Sequence, residues 1–319
     1  MPSGRIVGPR VVSADGGAHL GARALGFRLV GARFAYLLHT RPAEWPIMAA
    51  HTLLGAVLAI GVGPLLQGES LASVLRALLA WVVCLNGGTL AINSAFDKDE
   101  GDIAYLRSPP APPRHLFAFG LALMFLGAAI ALALPVAFRA LYALCFVMSV
   151  LYSVPPFRLK AVAGFDWLIN LVGFGAITPL AGWVATGRSV TAAGWWIIAG
   201  FGALFAALYP LTQLYQFEED QRRGDRTFAL VLGMRRSLDV AIGATAVAFW
   251  CFGVAGWLGG LGSWQWASLG AALLAWALVL VPWRRAWPSR TPAEHQRGMH
   301  LALAAWAVTD VAVVLGWGL

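Results

Sequence analysis

Residues 73–102 read SVLRALLAWVVCLNGGTLAINSAFDKDEGD. The first part, 73–95, approaches the ~20 apolar residues with which a helix crosses a ~30 Å hydrocarbon core. A run this long, without period-two alternation, is a helix and not a barrel strand. Its end then changes character. Asp97, Asp99, Glu100 and Asp102 fall within the last six positions. A spanning helix that stops in a group of carboxylates sets both the fold class and the question of function.

Eight further segments have the same apolar character: about 46–66, 115–135, 137–153, 166–187, 191–214, 236–258, 264–283 and 299–318. Breakers separate them, among them Pro109 and Pro110, Pro155 and Pro156, and the Gly259–Gly262 stretch. Pro135, between the third and fourth spans, reads either as a kink or as a helix end. Only 12% of residues are charged, against about 25% in a soluble domain. The expected fold class is an all-α polytopic membrane protein with nine transmembrane helices over residues 41–319. The first 45 residues carry six arginines and no long apolar run, unlike a cleavable secretory signal. Residues 1–40 read as a basic cytoplasmic tail with an interfacial helix over Leu25–Leu38. Cys84, Cys145 and Cys251 each sit in an apolar run and read as packing residues.

Charge fixes the expected orientation. The N-terminal segment and the loops after spans two, four, six and eight hold 20 of the 23 lysines and arginines. The other loops hold Arg76, Arg139 and Arg188. This positive-inside asymmetry puts the N-terminus and those loops in the cytoplasm and the C-terminus on the opposite side. It also accounts for the net charge of +8 through anionic membrane lipid, without nucleic acid as a partner.

Eight of the fifteen acidic residues lie in two clusters on that basic face: the four above, and Glu218, Glu219, Asp220 and Asp225 after span six. Asn86, Asn93 and Asp97 repeat at seven and four residues, one helix face. Thr212, Gln216 and Asp220 repeat at four and predict a second polar stripe. Two carboxylate-tipped helices form a hard-oxygen site, which suits Mg²⁺ with phosphate co-ligands. Arg158 and Lys160 follow span four, and Arg226 follows the second cluster; cations of this kind hold phosphates. Acids and bases together at an apolar mouth point to a metal-bound diphosphate with an apolar tail. A cation transporter is the rival of a different class, and it predicts acids spread through the membrane depth, where Asp310 is the clear example.

At these residues the chain resembles the UbiA superfamily of intramembrane prenyltransferases. Asn93–Asp102 is similar to the first Asp-rich motif of that family, and Tyr152–Lys160 (YSVPPFRLK) to a stretch common among its members. Gln216–Thr227 is similar to the second Asp-rich motif, and Arg41–Trp45 to its N-terminal RPxxW. The resemblance covers about residues 35–319. It implies nine helices around a central cavity with a cytoplasmic cap, and Mg²⁺-dependent ionisation of an isoprenyl diphosphate. Transfer of the prenyl group to a lipophilic, often aromatic, acceptor follows.

Carried over by motif, Asn93, Asp97 and Asp102 would hold one Mg²⁺, and Asp220 with Gln216 or Glu219 a second. Lys160, Arg158, Arg226 and Arg41 would bind the diphosphate, with Asp97, Asp220 and Lys160 at the centre of catalysis. The sequence departs from the family pattern at Ser94, where an aspartate is usual, at Gly101 and Asp102, where the third aspartate is displaced by one, and at Gln216, which replaces an aspartate. Both an acceptor-dependent transferase and a membrane terpene cyclase, which closes the cation on its own tail, fit the pattern.

Overall fold

The computed structural model describes residues 17–97, 106 and 108–318. Asp99, Glu100 and Asp102 lie outside them. Among the described residues the fold is all-helical, with one isolated backbone bridge between Val162 and Arg226. After α1 (Gly17–Val30) come α2 (Trp45–Ile60), α3 (Ser70–Asp97), α4 (Leu116–Ala131), α5 (Val136–Ser153), α6 (Phe165–Ala185) and α7 (Ala192–Gln213). The short α8 (Phe217–Arg223) and α9 (Phe228–Leu232) precede α10 (Met234–Gly259), α11 (Ser263–Ala286) and α12 (Pro292–Trp317). Eight stretches are long and apolar enough to span a membrane, the first running from Pro42 to the end of α2, and α4 is a shorter apolar helix.

The boundaries follow local chemistry. Helix α4 ends at Ala131 and Pro135, after a short turn, is the residue before α5, so it does not kink a continuous helix. The last span starts at Pro292, ahead of the expected 299, because Thr291 and Glu294 form a reciprocal capping box: Glu294 N donates to Thr291 Oγ1 (3.3 Å) and Thr291 N donates to Glu294 (2.7 Å). The first span stops at Ile60, short of the expected 66, and a separate short helix, Val62–Leu65, follows.

Two large apolar cores, with a small third one around Ala56, Leu65 and Val74, hold the bundle. One gathers α7, α10, α11 and α12 around the buried side chains of Phe201, Phe252, Trp276 and Trp283. The other gathers α3 to α6 around Trp81, Phe138, Tyr142 and Met124. Three buried indoles are paired: Trp81 donates to Thr178 (3.3 Å), Trp276 to Thr309 (3.1 Å) and Trp283 to His295 (2.9 Å). Outward-facing apolar residues such as Phe125, Leu278, Val311 and Trp257 are more than half exposed, as expected of surface that meets lipid tails. Trp195 is likewise exposed, and Trp196 packs edge-on against Trp250.

Helices α2 and α6 touch backbone to backbone. A Cβ at Gly55 would collide with the Pro179 carbonyl, and one at Gly182 with the Thr52 carbonyl. Small residues allow such approach where lipid removes the hydrophobic drive for helix association. Gly182→Leu is expected to cost at least the ~1–3 kcal/mol of core overpacking, because the obstacle is backbone. Thermal unfolding of the detergent-purified chain reads this; an unchanged midpoint would mean that the helices can part freely.

Candidate active site

Helix α3 delivers the first acidic segment. Asn86, Thr89, Leu90 and Asn93 all line a cavity of about 400 Å³, one helix face as the spacing predicts. The helix is locally wound as a π-helix over Leu79–Asn86, and α6 is likewise over Leu171–Ile177. Such segments occur disproportionately at functional sites. Here they place Trp81, Leu85 and Asn86 from one side, and Gly173 and Phe174 from the other, on the same cavity. The rest of the wall is mainly apolar and aromatic. Phe174 stacks on Phe205 (centroids 5.6 Å, 13°), Phe205 stacks on Tyr209 (6.4 Å, 25°), and Trp306 meets the edge of Phe205.

At the mouth, Lys160 Nζ donates to Asn93 Oδ1 (2.6 Å) and forms an ion pair with Asp97. Ser153 Oγ also donates to Asn93 Oδ1 (3.3 Å). Arg158 pairs with Asp97 (3.5 Å) and with Asp225 (3.1 Å). Arg158 thus joins the two acidic segments, and Asn93 joins that polar rim to the cavity below. Arg158 and Arg41 both take left-handed backbone conformations (φ 37° and 50°), which cost an L-residue roughly 1–2 kcal/mol.

The second segment differs from the expected continuous stripe. Helix α7 ends at Gln213 and α8 begins at Phe217, so Thr212, Gln216 and Asp220 do not share one helix face. Thr212 lines the cavity, Gln216 Nε2 reaches Tyr215 Oη (3.5 Å), and Asp220 is buried and accepts from Thr227 Oγ1 (3.5 Å). Gly224, left-handed at φ 72°, ends α8 and turns the chain to bring Asp225 to Arg158. Arg226 is exposed, with its backbone bridged to Val162 beside Lys160. The side chain of Glu219, like all of Asp102, is outside what is described.

Sequence reasoning missed the residue that anchors this segment. Asp166, at the start of α6, is fully buried and receives Gly164 N (2.9 Å), Gln213 Nε2 (3.0 Å) and Phe228 N (2.8 Å). Gln213 in turn accepts from Ala229 N (3.1 Å). The pair therefore caps α9 and fixes the chain just beyond the second acidic segment. The available signal was an acid two residues past a glycine at a helix start, which reads as an ordinary cap. Tyr152 lines the cavity, where its hydroxyl meets Tyr209 (3.1 Å) and accepts from Asn170 (3.1 Å).

Arg41 also lines the cavity and pairs with Glu44 (3.5 Å). Next to it, His39 contacts the Pro110 carbonyl (3.1 Å), and Arg23 donates to the Ser108 carbonyl (2.7 Å), which fastens the N-terminal helices to the loop after α3. Burial lowers the His39 pKa, against the raising effect of its bond to the Pro110 carbonyl, and the Arg41 charge lowers it further. Asp310 does not line the cavity; its Oδ1 has no hydrogen-bond partner among the described residues.

Among the described residues, no three His, Cys, Asp or Glu side chains group closely enough to hold a metal. The donor chemistry at Asn93 and Asp97 is nevertheless that of a hard cation. Two oxygens converge on one positive point, the Lys160 ammonium, and Mg²⁺ commonly takes one or two protein oxygens with phosphate and water completing its shell.

Comparison with known proteins gives a sequence model of the UbiA prenyltransferase family, matching residues 45–306. No curated protein sequence gives a significant match. Among solved structures, the chain is similar to a UbiA homolog from Archaeoglobus fulgidus bound to DMAPP and Mg²⁺: TM-score 0.63, 19% identity, 88% of this chain and 99% of that one covered. A UbiA homolog from Aeropyrum pernix K1 in its apo form gives 0.63 at 18% identity, over 86% and 98%. A structure concerned with digeranylgeranylglyceryl phosphate synthase in membranes gives 0.66 at 13% identity, over 88% and 97%. At these identities the likeness is one of fold.

Proposed function

The chain belongs to the UbiA prenyltransferase family, and on that premise we propose that it is a Mg²⁺-dependent intramembrane prenyltransferase, which ionises an isoprenyl diphosphate and transfers the prenyl group to a lipophilic acceptor. One observation carries the reading. Arg158 and Lys160 tie both acidic segments into a single polar rim, and Asn93 belongs both to that rim and to the apolar cavity. The fold relatives with DMAPP and Mg²⁺ bound add support.

Asn93, Asp97 and Asp102 would hold one Mg²⁺, and Asp220 with Gln216 or Glu219 a second. When bound, the metal supplies Lewis-acid stabilisation of negative charge on the departing diphosphate. Lys160 and Arg158 place fixed positive charge where that charge develops, with Arg226 beside them and Arg41 at the rim of the cavity. As the C1–O bond breaks, the electron pair leaves with the diphosphate and the allylic carbon becomes cationic. The faces of Phe205, Phe174 and Tyr209 favour a cation, by about 0.5–2 kcal/mol each where desolvated. The apolar wall excludes water, which would otherwise capture it. The acceptor's nucleophilic atom then bonds to C1 and loses a proton. Residues 1–40 form a basic cytoplasmic tail, the mouth faces the cytoplasm, and the C-terminus lies on the opposite side.

The test is incubation of the purified full chain with geranyl, farnesyl and geranylgeranyl diphosphates, with and without membrane extract as a source of acceptor. Diphosphate release and mass spectrometry of the products are the readouts. Mg²⁺-dependent release, abolished by chelation and accompanied by a prenylated product only with extract, is expected. A cyclic hydrocarbon or terpene alcohol from the diphosphate alone would make the chain a cyclase. Failure to consume any of the three under either condition would remove the proposal.

A further inference from the structure

Six spans line the cavity, and each contributes one side chain to its inner end: His51 from α2, Trp81 from α3, Cys145 from α5, Thr178 from α6, Phe205 from α7 and Trp306 from α12. One helical turn further from the mouth, Leu54, Ala77, Tyr142, Ala181, Phe201 and Thr309 are all buried, and none of them lines the cavity. The cavity therefore has a closed floor. Two indoles make most of it. Trp306 reaches from α12 to His51 of α2 (ring centroids 5.3 Å) and to Phe201 and Phe205 of α7 (5.8 and 5.9 Å). Trp81 reaches from α3 to Phe138 and Tyr142 of α5 (5.7 and 6.3 Å) and donates to Thr178 of α6. Each ring bridges three spans, and together they join all six. The cavity-lining residues that are exposed, Ile47, Gln296 and His300, all lie a turn or more nearer the mouth than this floor.

Helix rise gives the depth. Asn93 stands at the polar rim with Trp81 below it on α3, and Gln296 stands nearest the mouth with Trp306 below it on α12. At ~1.5 Å per residue the wall runs about 15–18 Å from rim to floor. Each isoprene unit adds four chain bonds, and at the ~1.2 Å per bond of an extended chain three units take about 15 Å and four about 20 Å. Resting on the prenyltransferase reading above, with the diphosphate at the rim, we propose that the floor limits the prenyl group to about three isoprene units and that Trp306 sets the limit. The tail runs down the apolar wall and its last unit meets the indole. A fourth unit has no room there, because Phe201 and Thr309 beneath the indole are 0% exposed and close-packed interiors resist added volume. Trp306 is the stop in preference to Trp81 because it keeps more accessible surface (9% against 2%).

The experiment compares tail lengths on the full chain in nanodiscs with Mg²⁺. Diphosphate release from subsaturating geranyl, farnesyl and geranylgeranyl diphosphates is measured with membrane extract as the source of acceptor. Binding is measured by calorimetry with the farnesyl and geranylgeranyl S-thiolodiphosphates, whose C–S bond resists ionisation, each corrected for protein-free nanodiscs. Farnesyl is expected to exceed geranylgeranyl by about tenfold or more in both rate and affinity, since one misfitting methylene alone is worth about 10–200-fold in an apolar pocket. Trp306→Ala is expected to bring the two within about threefold, and Trp306→Leu to give an intermediate ratio. A wild-type chain that binds and consumes both equally overturns the proposal without need of any variant; a tail that left sideways between Ile47 and His300 would give this result. A folded Trp306→Ala or Trp306→Leu chain that keeps the full cut-off also overturns it. Consumption of all three diphosphates with no cut-off removes the length limit and leaves the prenyltransferase reading standing. A cut-off in binding with no consumption keeps the limit and removes that reading. Neither binding nor consumption removes both.

Discussion

Replacing Lys160 by alanine is expected to slow diphosphate release by about 10²–10³-fold, the usual loss when one preorganised electrostatic stabiliser is removed. The ammonium is held by Asn93 at 2.6 Å and by Asp97, and its side chain is only 10% exposed. It therefore needs little reorganisation as charge builds on the leaving group. Water would replace it poorly, since the adjoining cavity wall is largely apolar. The effect should fall on kcat more than on KM, because the leaving group's charge is greatest in the transition state. Lys160→Arg keeps the charge but not its position, and should recover part of the rate. Single-turnover release of diphosphate with saturating Mg²⁺ gives the number. A Lys160→Ala enzyme within threefold of wild type would remove Lys160 from the catalytic assignment.

The second large effect is expected at a residue that never meets substrate. Asp166→Leu leaves three donors without this acceptor: the buried Gln213 Nε2, and the partly buried Gly164 N and Phe228 N. Each unsatisfied group costs about 1–3 kcal/mol, with less than full additivity, so a total of about 3–5 kcal/mol is expected. The same change releases the N-terminus of α9, and with it the stretch that carries Asp220 and Asp225. Activity should then fall even at temperatures where the bundle is intact, since Asp225 is the partner of Arg158. Asp166→Asn retains one carbonyl oxygen and should lose less on both counts. Thermal unfolding and Mg²⁺-dependent turnover, measured on the same preparations, check the pair of effects. A stable Asp166→Leu variant with normal turnover would show that α9 is held by its apolar packing alone.

The spans were legible because a membrane helix needs only length and apolarity, and both are written along the chain. The α3 face was legible for a similar reason: Asn86 and Asn93 are local to one helix, and helical phase survived its π-wound stretch. What escaped depends on partners far away in sequence. Gln213, 47 residues from Asp166, turns its amide to that carboxylate and to Ala229 N, in the region where α7 ends. No glycine or proline marks that break, so Thr212, Gln216 and Asp220 looked like one stripe. Asp166 escaped because its backbone partner, Phe228 N, is 62 residues on. Arg158 was readable as a cation near the mouth. Its link between the two acidic segments was not, because a left-handed arginine has no sequence signature, whereas Gly224 after an acidic run does.

The glycine contact between α2 and α6 has a mechanical consequence. With Gly55 lying against Pro179 and Gly182 against Thr52, the two helices cannot slide past one another without driving backbone into backbone. Arg41 precedes one member of this clasp, and Lys160 and Asp166 flank the start of the other. Those two sides of the mouth are therefore braced as a single jaw. The short helices and turns between Gln213 and Met234, which replace a continuous span, are fastened to that jaw through Asp166, so they too are positioned by the clasp.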